Sequence, residues 1–376
     1  MSIESQGLSR RQFVAVGVGT TAALFAGLAA CKKEESTPEP TPEPAPSPEP
    51  EPTTQIIVDH GGDSVEVPLK VEKICDLWHA HNQITLMLGA ADRLKGTTAV
   101  FQARKWAQKV FPGLKDVTPL VVGTGAGEVN YEEMMKIEPD LCFCSAASVA
   151  EGCRQYGLAV LNVSFQDYDG LRSNVAITGK ALGGEAEKRA ADWKEYLDKN
   201  IALVEERMKD VAEGDRPRIL HIANASNLTR VDGRNCIVDE WIKLAGGQNA
   251  LTQEGNLIDI TMEDIVAADP EVIILGAGGP AGDAAVQALL DNPAWSGITA
   301  IKNKAVYCNP SGVFAWDRYS GEEALQVIWA AKFFNPEKFA DIDMVKETQG
   351  FYKKFYGYDL SDADAALMLN GEEPAE

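Results

Sequence analysis

From about residue 70 to residue 310, short apolar runs alternate with longer amphipathic stretches. Lys73-Ile74-Cys75-Asp76-Leu77, Leu120-Val121-Val122, Leu141-Cys142-Phe143-Cys144 and Val160-Leu161-Asn162-Val163 are short and nearly continuous in apolar character, as strands buried on both faces are. Gln83 to Leu88 reads as a helix closed by Gly89. The alternation resumes at Arg218-Ile219-Leu220-His221-Ile222 and continues through a helix from Cys236 to Leu244. Strands at Val272 to Leu275 and Ala305-Val306-Tyr307-Cys308 follow. Strands alternating with helices argue for an α/β chain built of parallel sheets covered by helical layers. Between the two sets lies a helical stretch, Leu171 to Val211, with a break point at Gly183-Gly184. Trp193, Leu197, Ile201, Val204, Met208 and Val211 recur along it at three- and four-residue steps. Its part after Gly184 spans about 40 Å at 1.5 Å per residue, enough to cross from one lobe to another.

One pattern occurs twice, 131 positions apart. Asn130-Tyr131-Glu132-Glu133-Met134 leads to Glu138-Pro139-Asp140-Leu141, and Thr261-Met262-Glu263-Asp264-Ile265 leads to Asp269-Pro270-Glu271-Val272. Each copy reads as a cap, an acidic pair, a short helix, an acidic-Pro stop and a buried strand. Asn130 and Thr261 are placed to accept an orphan helix N–H, with Glu133 and Asp264 three residues on as in a capping box. Glu132 and Glu263 occupy the same place in the two copies. Helix-dipole stabilisation accounts for a carboxylate there, and so does a partner that docks across both lobes.

The ends of the chain carry addresses. Ser9-Arg10-Arg11-Gln12-Phe13 is a twin-arginine export pattern, and the stretch from Val14 to Ala30 is apolar but rich in Gly, Ala and Thr. Leu28-Ala29-Ala30-Cys31 resembles a bacterial lipobox, in which Cys31 is acylated and becomes the mature N-terminus. Residues 1–30 are therefore expected to be a Tat-type lipoprotein signal peptide. Residues 31–54 are expected to be the lipidated Cys and a Pro/Glu-rich stalk in extended polyproline conformation. The body is expected outside the cytoplasmic membrane, tethered to its outer face. A formal net charge of −21 argues against nucleic acid and anionic lipid as partners. Six cysteines remain after Cys31. Cys75, Cys142, Cys144 and Cys308 fall in expected core strands, where a thiol behaves as a small hydrophobe. Reduced core cysteines are therefore favoured over disulfides.

Open α/β sheets bind ligands at the C-terminal ends of their strands. Two loops meet that condition. Trp78-His79-Ala80-His81-Asn82 follows the first strand, and Phe314-Ala315-Trp316-Asp317-Arg318-Tyr319 follows the last. Imidazoles at His79 and His81 suit an open metal position or an anionic chelate. Aromatic faces at Trp316 and Tyr319 suit a flat ligand, and Arg318 suits a carboxylate or oxyanion. Asn82 completes the first set. Arg104-Lys105-Trp106 and the segment from Arg230 to Asn235 are further candidates, with Trp106 and Arg234 taken as their ligand contacts. Ser320 and Glu323 read as a capping box for the helix that follows. Gly123-Thr124-Gly125-Ala126-Gly127 lacks the spacing of a dinucleotide fingerprint, and no Walker A loop, G-x-S-x-G elbow or H-E-x-x-H helix occurs. Neither a catalytic residue, a resident metal nor a cofactor is expected.

With these residues in view, the mature chain resembles a class III, helix-backbone substrate-binding protein of an ABC importer, in the iron-complex and vitamin B12 group. The resemblance is carried by Val71-Glu72-Lys73-Ile74, by the turn Leu88-Gly89-Ala90-Ala91-Asp92-Arg93-Leu94, and by Glu132 and Pro139-Asp140. The linking helix, Glu263 to Ile274, Trp295 to Val306 and Trp316 to Trp329 complete it. It implies two Rossmann-like parallel-sheet lobes, at 55–170 and 215–376, joined by a linking helix at 171–214, with the ligand cleft between them. It also implies that Glu132 and Glu263 meet arginines on the permease. The expected function is a monomeric lipoprotein that captures a small-molecule iron complex, a siderophore-like chelate, and delivers it to an ABC permease and its ATPase. Haem, a corrinoid, molybdate and tungstate remain as alternative cargoes. A Tat-exported, cofactor-loaded enzyme is the rival of another class.

Overall fold

The computed structural model describes residues 52–123, 127–277 and 279–375. The export pattern, the Cys31 lipobox and residues 31–51 of the stalk lie outside them. The first lobe opens with an antiparallel hairpin, β1 (Thr54–Val58) and β2 (Ser64–Pro68). Asp59 closes it by accepting the Gly61 and Asp63 N–H groups, and its other oxygen takes the Asn162 N–H. The lobe's sheet contains β3 (Ile74–Asp76), β4 (Leu94–Thr98), β5 (Thr118–Val122), β6 (Glu128–Val129), β7 (Leu141–Cys144) and β8 (Val160–Asn162). Its order is β6-β5-β4-β3-β7-β8, parallel except for the β5–β6 edge. β3 and β7 are buried along their whole length, as continuous apolar runs in a parallel sheet should be.

The second lobe contains β9 (Arg218–Asn224), β10 (Asn227–Asp232), β11 (Gln248–Asn249), β12 (Ile258–Asp259), β13 (Val272–Leu275) and β14 (Val306–Cys308). Here the sheet is mixed. β9, β13 and β14 run parallel, β11 adds to β9, and β10 and β12 form an antiparallel edge. That edge was not visible as strand pattern because Asn227 to Asp232 is polar and only half-buried.

The repeated segment closes each lobe in the same way. Both copies form a seven-residue helix, Tyr131–Ile137 and Met262–Ala268, stopped by Glu138 and Asp269 in the left-handed conformation just before proline. The residue after each proline then accepts backbone N–H groups where the lobe's first strand begins. Asp140 takes Glu72 and Lys73 (2.7 and 2.8 Å), and Glu271 takes Arg218 (2.9 Å). Thr261 and Asp264 form a complete capping box, whereas Asn130 caps alone and Glu133 turns to Lys136.

The link is two helices, Tyr168–Leu182 and Glu185–Met208, separated by Gly183 and Gly184 at positive φ. The apolar stripe of the second helix is buried. Trp193 is fully enclosed and donates its indole N–H to the Gly321 carbonyl at 2.8 Å. The last helices, Met344–Phe351 and Asp362–Leu369, were expected with the second lobe, yet the tail crosses to the first. Tyr356 bonds Gln83 and Asp364 pairs with Lys109 in the first lobe, and Arg189 of the link bonds the Phe355 carbonyl. All six described cysteines are buried free thiols. Replacing Trp193 with alanine removes a large core side chain and the partner of a buried carbonyl. It should cost about 3–5 kcal/mol, read as a lower midpoint in urea unfolding at unchanged slope.

Candidate functional site

The loop after β3 is organised by Asp76. This fully buried carboxylate accepts His81 Nδ1 and Thr85 Oγ1, each at 2.7 Å, and the Trp78 N–H at 3.3 Å. His81 is thereby pulled under the loop, with Nε2 on Thr178 at 2.9 Å. Asn82 is equally enclosed. Its amide bonds the Asp76 and Trp78 carbonyls, and its oxygen accepts Thr97. These two side chains, expected at the ligand, brace the loop from inside. Trp78 and His79 are left facing the space between the lobes. His79 makes no hydrogen bond among the described residues. Burial, then the nearby Arg104 charge, hold its imidazole below the ordinary range, with Asp76 opposing.

Arg104 comes from the connection after β4, just before the helix Lys105–Val110. Its guanidinium donates to the Val313 carbonyl (3.1 Å) and Ser311 Oγ (2.8 Å) and lies 4.6 Å over the Phe314 ring. No carboxylate pairs with it among the described residues. Burial pushes its proton affinity down, and Glu322 is the largest opposing charge. Trp106 does not line the cleft. Residues two apart on a helix face different ways, so Trp106 enters the core and its N–H meets the Glu372 carbonyl.

The second lobe contributes Arg230, from β10, and Arg318 and Tyr319, from the segment after β14. Arg230 pairs with Asp259. Arg318 reaches Asp232 at 2.7 Å, Asn256 at 3.2 Å and Asp317 at 3.6 Å. Burial opposes its charge, but Asp317 and Asp232 outweigh burial and hold the proton above the ordinary arginine range. Tyr319, at φ 62°, closes an aromatic wall with Trp78 (5.8 Å) and Phe165 (5.6 Å). Trp316, expected at the ligand, is fully enclosed in the core, and its indole N–H has no partner among the described residues. Arg234 lies past the end of β10, where a bridge to Glu254 carries the chain outward. It is exposed and donates to the Leu251 carbonyl. Ser320 does not cap through its side chain. Its hydroxyl donates to the Ala315 carbonyl, while its N–H meets Glu323.

Together these groups line a cleft of about 730 Å³. Three guanidiniums face it, two from one lobe and one from the other. Asp317, the carboxylate on its wall, is turned toward Arg318 and His221. In a chain of net charge −21, this is a local reversal of sign. Among the described residues no group of three or more His, Cys, Asp or Glu is placed to hold a metal ion. Glu132 and Glu263 stand exposed in the first turns of the paired helices, with no hydrogen bond or ion pair among the described residues.

Two parallel-sheet lobes, a helical link and an interlobe cleft define a known architecture. The profile of the periplasmic binding protein family matches residues 79–312. The chain belongs to this family. It is 24% identical over 341 residues to the molybdate-binding protein MolA of Haemophilus influenzae, over 83% of this chain and 93% of that protein. The structure of MolA bound to molybdate superposes with a TM-score of 0.71 at 22% identity, over 82% of this chain and 99% of that one. A periplasmic solute binding protein from Veillonella parvula superposes with a TM-score of 0.73 at 23% identity, over 84% and 97%. This is the class III architecture of ABC-importer substrate-binding proteins. Such proteins bind small molecules and interact with a permease.

The sequence places Arg104 in a connection, where it lies, and Arg230 in another, whereas Arg230 stands on strand β10; the contacts expected of these segments were Trp106 and Arg234. Asp232 fell within the candidate segment Arg230 to Asn235 and Asn256 did not, and the hold of both on Arg318 depends on a strand pairing that the polar edge conceals. Glu322, just before the helix Glu323–Phe334, is fully buried. It accepts Tyr352 (2.6 Å), Tyr356 (3.0 Å) and the Phe314 N–H (3.0 Å). Burial raises its carboxyl to about 6 despite those donors. A carboxyl raised on folding contributes stability that is complete below its unfolded value and is lost as pH climbs through about 6. Between pH 4.5 and 7, the unfolding free energy of the wild type should therefore fall relative to Glu322→Gln by about 2 kcal/mol, measured by urea unfolding at each pH.

Proposed function

We propose that this periplasmic binding protein captures an anionic metal complex, of the iron-chelate class, and delivers it to an ABC permease. The observation that carries the reading is the convergence of Arg104, Arg230 and Arg318 from both lobes on one 730 Å³ cleft. Guanidiniums select carboxylate, catecholate and oxyanion groups by paired, charge-assisted hydrogen bonds. The volume is that of a pocket for an organic ligand, far above the roughly 30 Å³ that one water occupies in the liquid. His79, kept neutral beside Arg104 and without a hydrogen bond among the described residues, offers a lone pair to an open position on a metal. The wall of Trp78, Phe165 and Tyr319 suits the flat face of an aromatic chelate.

A bare oxyanion of the molybdate or tungstate type is the second reading. It is favoured by the likeness to a molybdate-binding protein over most of both chains and by Arg104, which has no carboxylate partner among the described residues. Titration of a Gln55–Glu376 fragment separates the two, with ferric citrate, a ferric catecholate, haemin, a corrinoid, molybdate and tungstate as probes. Saturable one-to-one quenching of Trp78 by an iron chelate alone supports the first reading. Quenching by the oxyanions alone replaces it with the second, and no binding to any probe overturns both. Arg104→Ala should weaken the productive probe roughly ten- to a hundredfold, the worth of a charge-assisted hydrogen bond or two.

We assign the exposed Glu132 and Glu263 to the permease interface and the Cys31 lipid to the membrane. Tat export and a single copy per anchor complete the proposal. The double variant Glu132→Lys, Glu263→Lys should abolish uptake in cells while leaving ligand affinity within twofold. Lost affinity in the purified double variant contradicts the docking assignment.

A further inference from the structure

His221 lies on β9 behind the cleft wall and is fully enclosed. Its Nδ1 is 2.8 Å from Asp232 Oδ2, and its Nε2 is 3.3 Å from Asp317 Oδ2, close but off hydrogen-bond alignment. The same two carboxylates hold Arg318. We propose that His221 is a positioning residue for anion capture: as an imidazolium between Asp232 and Asp317 it cancels one carboxylate, so that Arg318 is fixed at the cleft without leaving a net negative charge behind it. This rests on the anion-binding reading of the cleft.

The flanking carboxylates suit the charged ring. A neutral imidazole has one N–H and one lone pair, so one of its nitrogens would face a carboxylate oxygen lone pair to lone pair. With both nitrogens protonated, two carboxylates balance one guanidinium and one imidazolium. Without that proton, the cluster behind the cleft carries one net negative charge, which repels an anion at short range through a poorly screened interior. Among the described residues the other elements packed on the ring supply no further positive charge, and the buried Glu323 carboxyl beside Asp317 is held well above the carboxylate range by burial. Trp241, edge-on at 5.8 Å, gives its N–H to the Asp317 carbonyl, β13 sets Ile274 beside His221, and Gly276 follows just past its end. A Cβ at Gly276 would stand 2.9 Å from the ring, so the imidazole fills its slot. Burial opposes the ring's charge, but Asp232 and Asp317 outweigh burial and hold His221 above the ordinary imidazole range. Asp232 is held low, against its own burial, by Arg318 and His221.

Molybdate and ferric citrate serve as probes, titrated by calorimetry between pH 6 and 9 against wild type, His221→Gln, Asp317→Asn and the double variant. In the wild type, affinity for the bound probe should fall about tenfold as pH rises through the His221 transition. His221→Gln should bind about tenfold more weakly at pH 7, with no such pH step. The double variant, which removes one carboxylate along with the imidazolium, should recover most of that loss. Asp317→Asn alone should bind more tightly than wild type, which keeps the charge argument testable if His221→Gln does not fold. Equal affinity and an unchanged pH step in His221→Gln overturns the proposal while leaving the cleft assignment intact. A ligand-free measurement separates the two readings further. The Arg318 Nη–H signals, from the groups that donate to Asp232 and Asn256, should be protected in nitrogen-edited NMR at pH 7 in the wild type and lost in His221→Gln. Protection in both overturns the positioning role whether or not a probe binds. Binding of neither probe with the expected NMR change overturns only the choice of cargo.

Discussion

The segment from Asn309 to Glu322 has no helix or strand, yet it is buried throughout except at half-buried Arg318 and Tyr319. A buried irregular backbone must find a partner for each polar group outside itself. Here the partners come from every other part of the body. Trp193 of the link bonds the Gly321 carbonyl, Trp241 of the second lobe bonds the Asp317 carbonyl, and Gln83 of the first lobe takes the Gly321 N–H. Tyr352 of the C-terminal region takes the Val313 N–H, and Glu322 returns to Phe314. Both lobes, the link and the tail are thus committed to holding one loop, and that loop carries Phe314, Arg318 and Tyr319 into the cleft. The ligand-facing side chains can be precise because the backbone behind them has no solvent to exchange with.

The cleft works against the charge of the chain around it. The arginines are gathered where the lobes face one another. Desolvation would make isolated guanidiniums costly there. Arg318 is offset by Asp232 and Asp317, Arg230 by Asp259, and Arg104 by neutral acceptors and the Phe314 face. The differences matter for capture. Arg104 has the least compensated charge, and Arg318 is the most rigidly held.

The lobes were legible in the sequence because parallel strands buried on both faces leave continuous apolar runs, as at Leu141 to Cys144 and Val272 to Leu275. The paired helices were legible because cap, acidic stop and proline recur at fixed spacing. The antiparallel edge β10–β12 and the hairpin β1–β2 were missed, since both are polar and partly exposed. Within the site, the connections were found but the side chains were often not. Which of Arg104 and Trp106 faces the cleft is decided by where a six-residue helix starts. Whether His79 or His81 faces it is decided by a buried carboxylate at Asp76 that selects one ring. The His221–Asp232–Arg318 cluster joins residues far apart in sequence, and no local pattern announces it.

Anomalous diffraction from crystals of the body grown with its tightest-binding metal complex tests the central claim most directly. The account predicts one metal peak between the lobes, within reach of His79 and Arg104 on one side and Arg230 and Arg318 on the other. A metal bound on an outer face, or a bound ligand that touches none of the three arginines, would contradict it.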